Sequence, residues 1–115
     1  MTIVKFFQIL LVVLGIAGGQ VLFKMSGQQI TGGGFLKAFL NPYFFSALLV
    51  YGVCTVLWVY LLRDVPLGRA YPAVSLTFLI VPLLAWALLG EPFGKFALLG
   101  GALIVAGVYL MVFQD

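Results

Sequence analysis

The stretch RDVPLGRAYPAVSLTFLIVPLLAWALLGEP, Arg63 to Pro92, decides the fold. From Leu67 to Leu89 it carries one charge, Arg69, in an otherwise apolar run. A helix needs about 20 apolar residues to cross a bilayer, and this run supplies them. Asp64 can cap its start, Pro66 fits a first helical turn, and Gly90 suits a left-handed end. Pro72 and Pro82 lie inside the run. Each removes a backbone hydrogen bond and predicts a kink, which a membrane tolerates where the freed carbonyl faces protein or a cavity.

The rest of the chain fits the same solvent. Of its 115 residues, 64% are hydrophobic and only 8% charged, with a mean hydropathy of +1.25. So few charges cannot cover a water-soluble globule. The ionisable residues Lys5, Lys24, Lys37, Arg63, Arg69, Lys95, Asp64, Glu91 and Asp115 fall almost entirely between apolar runs, as exclusion from hydrocarbon requires. A net charge of +3, scattered in this way, does not suggest nucleic-acid binding. There is no histidine, and the single cysteine is Cys54. Neither a disulfide framework nor a cysteine–histidine metal site can be built. No nucleophile–base pair and no phosphate-binding glycine loop is present, so neither an enzyme nor a cofactor is expected. The first apolar run is too long for a signal-peptide core and reads as a retained span.

These runs predict an all-α membrane protein, a single four-helix domain over 1–115 with spans at about 3–24, 42–62, 67–89 and 93–113. Asn41 can cap the second span, with Pro42 in its first turn, and Pro92 takes the same place for the fourth. In the longest connection, TGGG at Thr31–Gly34 predicts a flexible turn. FLKAFL at Phe35–Leu40 predicts an interfacial segment with Lys37 facing headgroups. An even number of spans puts both termini on one side. Lys5, Arg63 and Arg69 then balance Lys24, Lys37 and Lys95, so charge counting gives no orientation. A cytoplasmic N-terminus and insertion both ways, as an antiparallel dimer, both stay open.

Small residues mark close helix contacts in lipid. Gly15 and Gly19 form such a pair in helix one; in helix four Ala102 and Ala106 form another, and Gly100 and Gly107 lie two turns apart on one side. They can serve packing inside one bundle or a dimer seam, most readily on helix four. A single four-helix unit is too slim to enclose a transport path, which favours pairing.

The candidate substrate-binding residues are Gln20, Lys24, Arg69, Tyr71 and Ser75. Gln20 lies deep in helix one, where its amide requires a partner, and Lys24 shares its face. Lys24 either snorkels to the interface or stands near a substrate phosphate. Arg69 either reaches lipid headgroups or offers its fork of donors to a phosphate at the start of helix three. Tyr71 and Ser75 share one face of helix three. Arg69 is about 200° of helical rotation from Tyr71. Either it serves another surface, or the kink brings it round. Glu91 suits a cap and ion-pair partner of Lys95 better than a proton-coupling group. Trp58, Tyr60, Tyr51 and Tyr109 read as interfacial or packing aromatics.

The segment VPLGRAYPAVSLTFLIVPLLAWALLGEP, Val65–Pro92, resembles the drug/metabolite transporter superfamily in its small four-helix form. The entry to helix three is similar to that of small multidrug resistance transporters. A closer likeness is to the paired subunits of the undecaprenyl-phosphate-aminoarabinose flippase. The residues that carry it are Gly19, Gln20 and Lys24, then Trp58, Val65, Pro66, Gly68, Ala70, Tyr71, Pro72, Ser75 and Leu76, and finally Glu91 and Pro92. Small multidrug transporters use a glutamate within helix one, and FFQILLVVLGIAGGQVLF has no acid. Arg69 stands where the flippase subunits are expected to be apolar.

The resemblance implies a multi-pass protein of the bacterial inner membrane that moves a polyprenyl-phosphate-linked sugar. The substrate is a lipid-linked anion, and the partner is a second copy or a related four-helix subunit. The alternatives are a proton-coupled cation exporter and a non-transporting partner subunit of a membrane complex.

Overall fold

The computed structural model describes residues 2–30, 32 and 39–113, so Thr31, Gly33 and Gly34 of the TGGG turn, and Lys37, lie outside the described residues. Five helical segments follow in order: α1 (Ile3–Gln28), α2 (Pro42–Leu62), α3 (Leu67–Val74), α4 (Thr77–Leu89) and α5 (Ala97–Val112). The described residues contain no strand. α1, α2 and the joined α3–α4 rod are long and apolar enough to cross a membrane; α5 is a shorter apolar helix. The protein is therefore an all-α membrane protein of four helical spans, the third divided.

Local chemistry sets several boundaries. The Asn41 side chain accepts from the Phe44 N–H at 2.9 Å, and Pro42 opens α2. Gly90 ends α4 in the left-handed region at φ 70°, which an L side chain rarely adopts. Elsewhere the structure corrects the sequence reading. α1 runs to Gln28, so Lys24 lies within the helix and not at its end. α5 starts at Ala97, and Glu91–Gly94 is non-helical, so Pro92 is not in its first turn and Glu91 does not cap it. Proline's fixed φ suits an extended segment as well as a helix start. Glu91 and Lys95 form no ion pair, and Lys95 lies over the Phe96 ring.

Asp64 does not cap α3 either: Pro66 holds the cap position, with no side-chain bond. Asp64 instead takes Lys5 at 3.3 Å and Arg63 at 3.6 Å. Those charges outcompete a neutral N–H for the carboxylate. The Lys5 hydrogen bond first, then the charge of Arg63, holds the Asp64 carboxyl below its usual range.

The third span is irregular at Ser75 and Leu76, one turn past Pro72, while α4 runs on through Pro82. There the N–H groups of Ser75, Leu76, Phe78 and Leu79 bond to carbonyls three residues back. This is a tightened 3₁₀ turn. The Ser75 and Thr77 hydroxyls donate to the carbonyls of Pro72 and Val74. Polar backbone exposed by the break thus finds partners inside the chain, as lipid demands.

α1 is the organising helix. It packs against α2, α3 and α4, while α5 packs against α3 and α4. The core joins Ile9, Val12 and Val13 of α1 to Cys54 and Leu61 of α2, Ala70 and Ala73 of α3, and Val108 and Val112 of α5. Gly15 and Gly19 serve the α1–α2 seam. A methyl group on Gly15 would sit 2.5 Å from the Cys54 sulfur, and one on Gly19 would sit 2.5 Å from the Tyr51 ring. The packing role, and not a seam between copies, accounts for this pair. The Phe6 and Phe113 rings meet at 5.1 Å, which places both ends of the chain together. The Cα envelope is 54 × 36 × 18 Å, a slab less than two helix diameters thick.

Candidate functional site

Two clefts that share Ile16 of α1 together make a groove, one part bounded by α1, α2 and α3 and the other by α1 and α4. Its first part, about 150 Å³, is lined by Ile16, Tyr51, Cys54, Thr55, Trp58, Tyr71 and Val74. Its second, about 390 Å³, is lined by Ile16, Gln20, Thr77, Phe78, Val81 and Pro82. Ile16 joins the two. A neighbouring cleft of about 470 Å³ shares Tyr71, Val74, Thr77 and Phe78, and reaches Ser75 and, on α5, Gly107. Tyr71 therefore stands between groove and cleft, at the level of the broken helix.

The groove's polar centre is a pair that bridges two helices. The Gln20 amide donates to the Tyr51 hydroxyl. Gly19 makes this possible, because its bare backbone lets the Tyr51 ring lie against α1 beside Gln20. The Phe23 ring, one turn on from Gly19 along α1, packs 5.2 Å from the Tyr51 ring. Accepting from Gln20 leaves the Tyr51 hydroxyl its own hydrogen to give, and Gln20 keeps its carbonyl oxygen and a second N–H. The Thr55 hydroxyl donates to the Tyr51 carbonyl at 2.7 Å and retains lone pairs to accept.

Among the described residues, no aspartate, glutamate, lysine or arginine lines the groove or the neighbouring cleft. The wall is neutral, built from one amide and several hydroxyls on apolar ground. It can hydrogen-bond a hydroxyl-rich or anionic group. It has no carboxylate to hold a cation.

The structure thus brings Gln20, Tyr71 and Ser75 to one region, with Pro72 and Pro82 in its walls. Lys24 lies one turn beyond Gln20, exposed. Arg69 is half-buried and lines neither groove nor cleft. Glu91 is half-buried in the α4–α5 connection, away from the groove. Of the helix-four small residues, Ala102 and Ala106 are exposed, and a methyl on Gly100 or Gly107 would meet nothing within 4 Å. Gly101 is the one that packs inside the chain, against Leu79.

Sequence reasoning missed Tyr51, Thr55, Trp58 and Thr77. A signal was there. Tyr51, Thr55 and Trp58 recur at i, i+4 and i+7, one polar-aromatic stripe in an otherwise apolar span.

The EamA-like transporter family matches residues 1–113. Curated relatives from Salmonella newport (strain SL254), Salmonella agona (strain SL483) and Salmonella typhimurium (strain LT2) are each 36% identical over 94 residues, covering 82% of this chain and 84% of theirs. Each is called a "probable 4-amino-4-deoxy-L-arabinose-phosphoundecaprenol flippase subunit ArnE". No solved structure matches the chain.

Proposed function

Since this chain belongs to the EamA-like transporter family, a family of membrane transporters, we propose that it is a flippase subunit for a polyprenyl-phosphate-linked sugar in the bacterial inner membrane. The observation that carries this reading is the neutral hydrogen-bonding wall around Gln20 and Tyr51, cut into a surface that is otherwise apolar. A sugar headgroup is rich in hydroxyls, and amide and hydroxyl groups replace its lost water. The polyprenyl chain needs no such partner and trails in lipid. The relatives' printed substrate has the same two-part chemistry, an amino sugar on a phosphopolyprenol.

The groove is open along one side, and the slab is too thin to close it. A second four-helix chain, identical or related, completes the wall. The exposed Ala102–Ala106 stripe of α5 is the surface on which backbones can come closest. Ser75 and Leu76 form the joint about which α3 and α4 move when the headgroup passes, and Tyr71 is the side chain this joint carries. Lys24, one turn outside the groove, meets the phosphate at the mouth.

Among the described residues no carboxylate lines the groove, which weighs against cation export. The test is reconstitution into vesicles, alone and with a related four-helix subunit. A fluorescent polyprenyl-phosphate amino sugar would be scored for crossing by membrane-impermeant quenching. Faster crossing with protein, abolished by Gln20→Leu, is expected. Crossing no faster than in empty vesicles under both conditions would refute the reading.

A further inference from the structure

A second cleft, about 320 Å³, opens on the other flank of the α1–α2 seam. Its rim is charged and its depth is apolar. At the rim, the Asp64 Oδ2 holds Lys5 Nζ at 3.3 Å and an Arg63 guanidinium nitrogen at 3.6 Å. One oxygen touching both keeps the two cations within about 7 Å of each other, a span that one phosphate group bridges. Asp64 accepts one hydrogen bond from the ammonium and pairs with the guanidinium by charge at 3.6 Å, which leaves two donors on the ammonium and five on the guanidinium. Two cations against one carboxylate leave the rim an excess positive charge.

One turn in from the rim stand Gln8 and Tyr60, both able to donate to an ester oxygen. Farther along the two helices, Leu11 of α1 and Leu57 of α2, both exposed, form an apolar wall. From Lys5 to Leu11 the helix rises about 9 Å. A glycerophospholipid's acyl chains begin about that far from its phosphate, whereas an isoprenyl chain begins at the phosphate ester itself and would first meet Gln8 and Tyr60. The volume is at the lower limit of small-molecule sites.

We infer that this cleft binds the phosphate headgroup of a membrane amphiphile, phosphate on Lys5 and Arg63, chain along Leu11 and Leu57. It is a site separate from the Gln20–Tyr51 groove. Two sources share this chemistry: bulk anionic phospholipid and a polyprenyl phosphate.

Native mass spectrometry of the purified protein tests the assignment. The probes are dioleoylphosphatidylglycerol, a long-chain isoprenyl phosphate and soluble glycerol phosphate. Retention of either amphiphile, at least tenfold weaker in Lys5→Gln/Arg63→Gln, is expected, and the amphiphile retained more tightly identifies the source. Leu11→Phe/Leu57→Phe fills the cleft and leaves the charges, and it should weaken retention too. Gln20→Leu alters only the groove and should retain the amphiphile as wild type does, so failure here is distinct from failure of the transport reading. Retention indifferent to both double variants, or glycerol phosphate held as tightly as the amphiphiles, overturns the assignment.

Discussion

The Gln20 amide of α1 donates to the Tyr51 hydroxyl of α2, and the ring that carries that hydroxyl rests where Gly19 has no side chain. A backbone vacancy, a ring and an amide thus act as one unit. Each can be tested alone.

Gly19→Val puts methyl groups into the Tyr51 ring and should lower the melting temperature in detergent, by an overpacking penalty of about 1–3 kcal/mol. Gly18 is the control. Nothing stands within 4 Å of an added methyl there, so Gly18→Ala should be neutral or slightly stabilising, as helix propensity gives about 0.5–1 kcal/mol in favour of alanine. Equal melting of the two variants would contradict the packing assigned to Gly19.

Tyr51→Phe keeps the ring and removes the hydroxyl. A hydrogen bond between membrane helices contributes about 0.6 kcal/mol on average, so the protein should stay folded. Sugar-lipid crossing should fall several-fold in the vesicle assay. Tyr71→Phe should do the same, since Tyr71 lines groove and cleft alike. Wild-type crossing by both would remove the hydroxyls from the proposed wall.

Arg69→Ala and Glu91→Gln act outside the groove. Both are expected to cross lipid at rates within about twofold of wild type, under 0.5 kcal/mol of barrier. Loss of crossing in Glu91→Gln, with normal folding, would restore a coupling role to that carboxylate.

The Asp64 carboxyl is held below its ordinary range by the Lys5 hydrogen bond and then by the Arg63 charge. A carboxyl lowered in the folded state stabilises that state above its unfolded pKa. The contribution is lost as pH falls through the folded value. Asp64→Asn should therefore melt below wild type at neutral pH. The gap should close in acid, below the usual carboxylate range, and shrink in high salt. A gap that widens on acidification would show the pairing to be misassigned.

How much of this was legible in the residues depends on how local each cause is. The start of α2 was, because Asn41 and Pro42 act on their own first turn. The left-handed end at Gly90 was legible for the same reason. The start of α5 was not, since a proline fits a helix start and an extended strap equally well. Asp64 was assigned to a cap two residues ahead, but its partner Lys5 lies 59 positions away. Of the groove, Gln20, Tyr71 and Ser75 could be picked out as polar groups in apolar runs. The spacing of Tyr51 with Thr55 and Trp58 marked a polar face, but that Gly19 lies beneath the Tyr51 ring was not legible. Arg69 looked eligible by chemistry alone, and its side of α3 excludes it from the groove.

The 16 residues of α5 reach only about 24 Å, against a hydrocarbon layer of about 30 Å. Lipid pressed to that helix must pinch inward to keep its carbonyls from being stranded in oil. A headgroup gliding past α5 then meets a thinner barrier than it would anywhere else along the protein. Lengthening α5 by one turn of leucine should thicken that belt and slow the passage, even though no groove residue has changed.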